Sequence, residues 1–507
     1  MKRVLSMVLA LTMLFAAFAL TSCANTESTT PKATLGTLNT GSGTKGTTAS
    51  TGIADINNKE AAENIRPGFE DVSFDGHTFT FATPLNTTDG WADYEVHAEE
   101  DGAGILDAAI VQRNNLLRQH YDCSVMAVDV ENGTLQDDFN TNQNRIDILL
   151  TRYNMQSKAN GDYYNYYDLD IDFVDKPWFD QNFIEDVTVN GQLYCMVGAF
   201  SLTSFDATWV MFFNKTVKET TEEIRDLNFY DLVYNGEWTL DRFYEILKYA
   251  AHDDGDSTMV VNTDDIFGLV SSSFGIRGLY FGAGQSYVNK KDNAQGVTEF
   301  SHAFDTAAVE ATNKIIDIYG FMGTTVTDYV KVETQMRSNT VLFSPEVLRK
   351  ASYYAGKQGS SSEAVDIGII PHPALNEEMS AAKEYKHNVD NHQIYMCVPK
   401  TCSDLERIAD FIEVYAYHSY YTVYKNYLNL YKYTYTTDTD SAVMVDYILN
   451  SRSFDLAYQF AWAGIDGEYL SGVQKGSNVV SELGGSFGAA IVEAANKYRD
   501  NMKGAGK

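Results

Sequence analysis

The chain has 507 residues, with 38 Lys and Arg against 69 Asp and Glu, and a formal charge of −31. A surface this anionic repels phosphates, which excludes nucleic-acid binding. With 44% hydrophobic and 13% aromatic residues, the length suits two or three domains with sizeable cores, and 33 tyrosines offer aromatic surface with a polar handle.

Lys2 and Arg3, the apolar stretch from Val4 to Leu20 and then Leu20-Thr21-Ser22-Cys23 have the layout of an export signal over residues 1–22. About 17 apolar residues are few for a spanning helix. The L-T-S-C run resembles a lipobox, which implies cleavage before Cys23 and lipid on its sulfur. Losing residues 1–22 removes two positive charges and no negative one, which deepens the formal charge to −33. Residues 24 to about 65 are mostly Ser, Thr, Gly and Asn, with too little apolar surface to offset chain entropy, so 23–65 reads as a disordered tether. Four further cysteines, Cys123, Cys195, Cys397 and Cys402, read as packed thiols, with bridges as the lesser alternative.

The folded body opens with a turn at Phe74-Asp75-Gly76 and period-two alternation through Ala82, a first strand. Residues 104–121 place Leu106, Ile110, Leu117 and Tyr121 on one helical stripe, and Cys123–Val128 and Arg145–Thr151 read as strands. Trp209–Phe213 is a strong strand ending in Asn214-Lys215. Thr239 caps a helix with Leu240, Phe243, Tyr244 and Leu247 on one face. Helices are expected over 307–319 and 345–355, short strands over Asp366–Pro371 and Ile394–Pro399, and helices over Asp404–Tyr417, 441–450 and 486–500. Strands separated by amphipathic helices mean an α/β architecture. Nine tyrosines between 415 and 435, at mixed spacings, point to a packed interface rather than a ligand ladder.

Phrases spread through the body in this order, among them GILDAAIVQRN, DILLTRY, DFVDKPWFD, NGQLYCMVG, FFNKTV, NGEWTLDRF, VLFSPEVLRKA, DIGIIPHPALNEE and VPKTCSDLERIADFIE, resemble the extracellular solute-binding lipoproteins of ABC importers, family 1, of the clostridia type that bind sugars. The resemblance implies a two-lobed type II periplasmic-binding fold with crossing hinge segments and C-terminal helices. Lobe 1 would span 66–208, lobe 2 would span 209–393, and the chain would return to lobe 1 over 394–430. Helices of 431–507 would pack on the lobes, the last of them across lobe 1. It also implies a monomer anchored by lipid at the extracellular face of the cell membrane, with a sugar as solute and permease subunits as partners.

Sugar sites pair aromatic platforms with Asp, Asn, Glu and Arg groups. Trp178 follows a proline in a loop, where an exposed ring is expected. Trp238 precedes the capped helix, either stapling it or facing the cleft, and Trp462 follows a helix in the C-terminal region. Tyr153 and Asn154 stand at the carboxyl end of a strand, where open α/β sheets bind ligands. Asp206 and Asp390 precede the crossing and return strands. Trp209 reads as core, and Trp91 as a residue of the cleft mouth.

No motif assigns a catalytic residue, metal or cofactor, so the chain reads as not an enzyme. The two imidazoles of His387-Asn388-Val389-Asp390-Asn391-His392 fall off a common helical face, and no nucleophile elbow, P-loop or dinucleotide fingerprint is present. The other readings are a surface-anchored glycan hydrolase, which needs two carboxylates about 5–9.5 Å apart, a binding protein for a peptide or cationic solute, and a surface adhesin.

Overall fold

The computed structural model describes residues 59–84, 96–98, 104–130, 145–151, 162–261, 264–359, 363–483 and 486–502. The signal segment, Cys23, the tether up to residue 58, Trp91, Tyr153 and Asn154 lie outside the described residues.

The strands, in chain order, are β1 (His77–Pro84), β2 (Cys123–Val130), β3 (Ile148–Thr151), β4 (Trp209–Asn214), β5 (Phe267–Ser271), β6 (Val288–Asp292), β7 (Thr298–His302), β8 (Thr324–Val326), β9 (Val341–Val347), β10 (Ile367–Ile370), β11 (His387–Asn388), β12 (Tyr395–Cys397) and β13 (Arg452–Ser453). Asp75 and Gly76, both at positive φ, turn the chain into β1, whose alternation buries Phe79 and Phe81. The helix Ile105–Tyr121 then crosses over, burying Ile110, Leu117 and Tyr121, and ends at Asp122 in the left-handed region, so that β2 returns parallel to β1.

The first sheet has the order β12-β3-β1-β2, with β12 antiparallel to β3, and the second has the order β10-β4-β9-β5-β8. In the second, β5 runs parallel to β8 and β9, whereas β4 is antiparallel to β9 and β10. The fourth strand of the first sheet arrives only after the whole second sheet, so the second sheet is an insertion in the first. Its two chain passages run side by side: Thr208 bridges Val389, and the Asp390 N–H donates to the Ala207 carbonyl at 2.8 Å.

Two sequence expectations change here. The helix expected over 345–355 begins only at Lys350, because Val341–Val347 is a fully buried strand. Pro345 is tolerated there because it lies beyond the β5–β9 partners, Phe267 with Val341 and Leu269 with Phe343. The end of the expected tether is also ordered. Lys59–Glu63 is helical, Ala62 is buried, and the Tyr417 hydroxyl donates to the Ala61 carbonyl at 3.0 Å.

The helix Leu405–Ser419, capped by the Asp404 side chain, covers the first sheet, with Phe411 stacked on Phe79 at 3.6 Å between centroids and Tyr415 tilted on Phe81 at 5.0 Å. A π-helical turn, Tyr420–Tyr424, joins it to the helix Lys425–Tyr433. Along this run Tyr420, Tyr424, Tyr427, Tyr431 and Tyr435 touch in succession with centroids 4.6–6.1 Å apart, a packed seam. Beyond it the chain meets residues on both sides of the insertion: Asn182 Nδ2 donates to the Asn450 carbonyl at 3.1 Å, and the Phe454 N–H donates to Asp186 Oδ2 at 2.8 Å. Ser441 Oγ accepts the Ile369 N–H of β10 at 3.1 Å, and Tyr469 meets Thr312, because Met444, Val445, Ile448, Ile465 and Tyr469 bury apolar faces. Among the described residues no helix is long and apolar enough to cross a membrane.

Candidate functional site

The carboxyl ends of β5, β8 and β9 all point toward the two chain passages, since β9 ends at Val347 opposite Trp209, where β4 begins. Each end delivers a distinctive group. After β5 come Ser272, Ser273 and the helix Phe274–Gly282; after β8 comes Asp328, whose side chain caps the helix Tyr329–Arg337. The first residues of these two helices, Phe274 and Tyr329, are 37% and 42% exposed and stack on each other at 6.2 Å with an interplanar angle of 25°. A pair of wet aromatic faces at the carboxyl ends of parallel strands is a platform for a solute ring.

One helical turn past Phe274, Arg277 sits beneath it, its side chain only 3% exposed. Nη2 donates to Asp390 Oδ2 at 3.0 Å and Nη1 to Asp466 Oδ2 at 2.7 Å, while Cζ lies 4.2 Å from the Tyr458 ring centroid and 5.2 Å from that of Phe274. Burial opposes the guanidinium charge, but the Asp466 and Asp390 carboxylates more than offset it and raise the pKa. Burial likewise works against ionised Asp390, yet the His392 hydrogen bond and the Arg277 charge hold its carboxyl well below the usual range. Trp209 Nε1 also donates to Asp390 Oδ2, at 3.3 Å, and the Tyr287 hydroxyl donates to Asp466 Oδ1 at 3.1 Å. This charged base ties the second sheet's helix to the return passage.

Glu346, at the end of β9, is fully buried and its carboxyl is pushed up to about 7 by burial, the Lys350 charge opposing only in part. Its Oε1 has no hydrogen-bond partner. Burial also raises the Tyr329 phenol, with the charge of Glu346 as the next cause. The site thus offers two exposed aromatic faces and a phenol, with the Ser272 hydroxyl and the Glu346 carboxyl buried close by, a set suited to stacking on a polyhydroxylated solute.

Of the sequence candidates, Asp390 alone among the described ones joins this base, together with Trp209, which had read as core. Trp178 is not exposed: it is 8% accessible, edge-on to Tyr417 at 5.2 Å and 5.4 Å from the Arg66 guanidinium, because the helix Leu405–Ser419 covers its loop. Trp238 is fully buried between Phe229, Phe243 and Phe343, and its Nε1 donates to the Pro371 carbonyl at 2.8 Å. Trp462 is buried against Phe300, Phe460 and Tyr498. Asp206 accepts the Tyr427 and Tyr431 hydroxyls of the tyrosine seam.

The residues missed were Phe274, Arg277, Tyr329, Glu346 and Asp466. One signal for them existed: an arginine inside the apolar helix Phe274–Gly282 demands carboxylate partners.

Two concavities lie elsewhere and neither includes the ring pair. One, of about 240 Å³, is lined by Asp186, Lys290, Lys386 and Asp455, and a shallow groove of about 830 Å³ follows the helix Ser486–Asn501. Asp253, Asp254 and Asp256 bring carboxylate oxygens within 4.8 Å of one another, but Asp253 and Asp254 already accept backbone N–H groups of their own loop.

No protein-family model matches the chain, and no curated protein matches it significantly. Solved structures do. A cyclo/maltodextrin-binding protein complexed with maltotetraose superposes with a TM-score of 0.50 at 11% identity, over 84% of this chain and 98% of that one. The galacto-N-biose-/lacto-N-biose I-binding protein of the ABC transporter from Bifidobacterium longum, in complex with lacto-N-biose, does so with a TM-score of 0.50 at 13% identity, over 83% and 97%. The chain therefore has the two-lobed α/β fold of these proteins.

Proposed function

We propose that the chain is the solute-binding component of an ABC importer, capturing an oligosaccharide or other sugar between its lobes and presenting it to the permease by closing. The observation that carries this reading is the exposed Phe274–Tyr329 pair above the Arg277–Asp390 base, placed beside the two passages that join the sheets. A solute stacked there is held by one lobe alone while the molecule is open. Contacts from the other lobe form only on closure, so the solute shifts the hinge equilibrium toward the closed form.

The lobe limits proposed are 66–208 with 394–430 for the first and 209–393 for the second, with 431–507 as helices on both. For the first lobe's contacts, Tyr153 and Asn154 are the favoured candidates, since Thr151 at the end of β3 pairs with Tyr395 at the start of β12, next to the return passage. Trp91 follows the end of the parallel strand β1 and is proposed with them. Lipid on Cys23 would hold the protein, as a monomer, at the outer face of the membrane. The sugars held by the two superposable proteins, maltotetraose and lacto-N-biose, support the solute class.

The test is a thermal-shift series with maltotetraose, lacto-N-biose, spermidine and a tripeptide, followed by small-angle scattering with the strongest binder. A sugar that raises the melting temperature and contracts the scattering envelope supports the proposal. A shift with spermidine or the peptide alone overturns the sugar assignment, and scattering unchanged by the best binder overturns lobe closure.

A further inference from the structure

Cys195 and Cys397 lie on the two sides of the inserted second sheet, about 200 residues apart in sequence, yet the fold sets them against each other. Met196 and Met396 form an antiparallel bridge in which each N–H donates to the other's carbonyl at 2.9 Å. The next pair outward in that register is Cys195 with Cys397. The bridge is isolated, and Cys195 and Cys397 flank it where its antiparallel register would set a non-hydrogen-bonded pair; in a ladder the Cα atoms of such a pair stand about 4.5 Å apart, a spacing that a disulfide spans. The register is held on both sides: Cys397 pairs with Leu149 of β3, and the Tyr166 hydroxyl donates to the Met396 carbonyl at 3.0 Å. Both cysteines are buried, as thiols, and both act electrostatically on Tyr163, Tyr166 and Tyr395, which are buried as well. The other two thiols, of Cys123 and Cys402, are not paired with each other in any ladder of the described residues; Cys123, at the start of β2, pairs with His77.

We infer that Cys195 and Cys397 become joined as a disulfide when the chain folds in an oxidising compartment. The first thiolate attacks a small-molecule or oxidoreductase disulfide, giving a mixed disulfide and releasing one thiol. The second cysteine then displaces the remaining thiol, so two protons and two electrons leave the protein and the donor disulfide is reduced to two thiols. Burial raises both thiols, Cys195 to about 12, which makes the folded thiols poor nucleophiles and places the reaction during folding, before the tyrosines close over them. The bridge clamps the two ends of the insertion at β12 of the first sheet, and neither cysteine belongs to a strand of the second. It therefore constrains the unfolded chain, through a very long loop, and leaves the lobes free to swing.

The experiment uses the full chain carrying Cys23→Ser, refolded in oxidised and reduced glutathione, alkylated in denaturant and digested without reduction. Expected is one cross-linked peptide pair containing Cys195 and Cys397, with Cys123 and Cys402 alkylated. The melting temperature of this protein falls by several degrees on adding dithiothreitol, whereas that of Cys195→Ser does not respond and Cys402→Ser behaves as the parent. Alkylation of all four cysteines, any other pairing, or a parental melting temperature indifferent to reductant overturns the inference. No solute enters these measurements, so the bridge can fail while solute capture stands.

Discussion

Replacing Arg277 with methionine keeps most of the side-chain volume and removes the charge on which the base of the site depends. Asp390 would retain the Trp209 and His392 donors, but Asp466 would keep only the Tyr287 hydroxyl. Removing one partner of a buried ion pair costs about 3–5 kcal/mol, because the other charge is left desolvated and uncompensated. Set against a total of about 5–15 kcal/mol for a protein, the variant should still fold at pH 7, at a reduced urea midpoint. The loss should also depend on pH in a defined direction. In the parent, Asp390 is held ionised far below its ordinary range, so its contribution is present at neutral pH and fades only as pH falls through that depressed value. In Arg277→Met the His392 hydrogen bond remains but the opposing charge is gone, so burial raises the Asp390 carboxyl relative to the parent and the gap to the parent narrows as pH falls. Urea melts followed by circular dichroism at several pH values measure this. A variant within about 1 kcal/mol of the parent at pH 7, or a gap that stays constant with pH, would show that Arg277 is not the charged centre described here.

Phe274→Ala and Tyr329→Ala should each weaken binding of the responsive sugar about 5- to 10-fold, at about 1 kcal/mol per stacked ring, with little change in melting temperature because both rings are exposed; calorimetry compares the two effects. His372, buried and without a hydrogen-bond partner on either ring nitrogen, is pushed down by burial to about 3 from an ordinary value of 6.5. The unfolded state therefore binds the extra proton between those values, and stability drains away as pH falls below 6.5. In His372→Asn the slope of stability against pH over that window should flatten by about 1.4 kcal/mol per pH unit, read from urea melts between pH 6.5 and 4.5. Gly236 ends a helix at φ +78°, and a Cβ there would stand 2.6 Å from the Ala381 Cα, so Gly236→Ala should cost at least about 2 kcal/mol in thermal melts. Trp238→Phe should lower stability through the abandoned Pro371 carbonyl while leaving sugar affinity unchanged, since the ring is interior.

Where local chemistry decides, the sequence was readable. Thr239 caps its helix by accepting the Arg242 N–H at 3.2 Å, and Asp404 accepts that of Arg407 at 3.2 Å. The insertion of one sheet in the other followed from the family resemblance rather than from periodicity. The site was mostly illegible because its parts come from distant segments: Phe274, Tyr329, Glu346 and Asp390 meet only through the pairing of β5, β8 and β9. Tryptophans misled for a related reason. Whether Trp178 is wet depends on a helix that arrives more than 200 residues later, and no window around Pro177 contains that helix.

The late arrival of β12 also sets a timetable at the ribosome. The first three strands of their sheet emerge early, and β3 then waits with one edge uncovered while about 240 more residues are made, roughly 10–50 s at ordinary elongation speeds. An apolar, unzipped Ile148–Thr151 edge is an invitation to wrong partners for all of that time. A holdase that keeps the nascent polypeptide extended until its last third is available would remove the hazard, and secretion in an unfolded form would serve the same end.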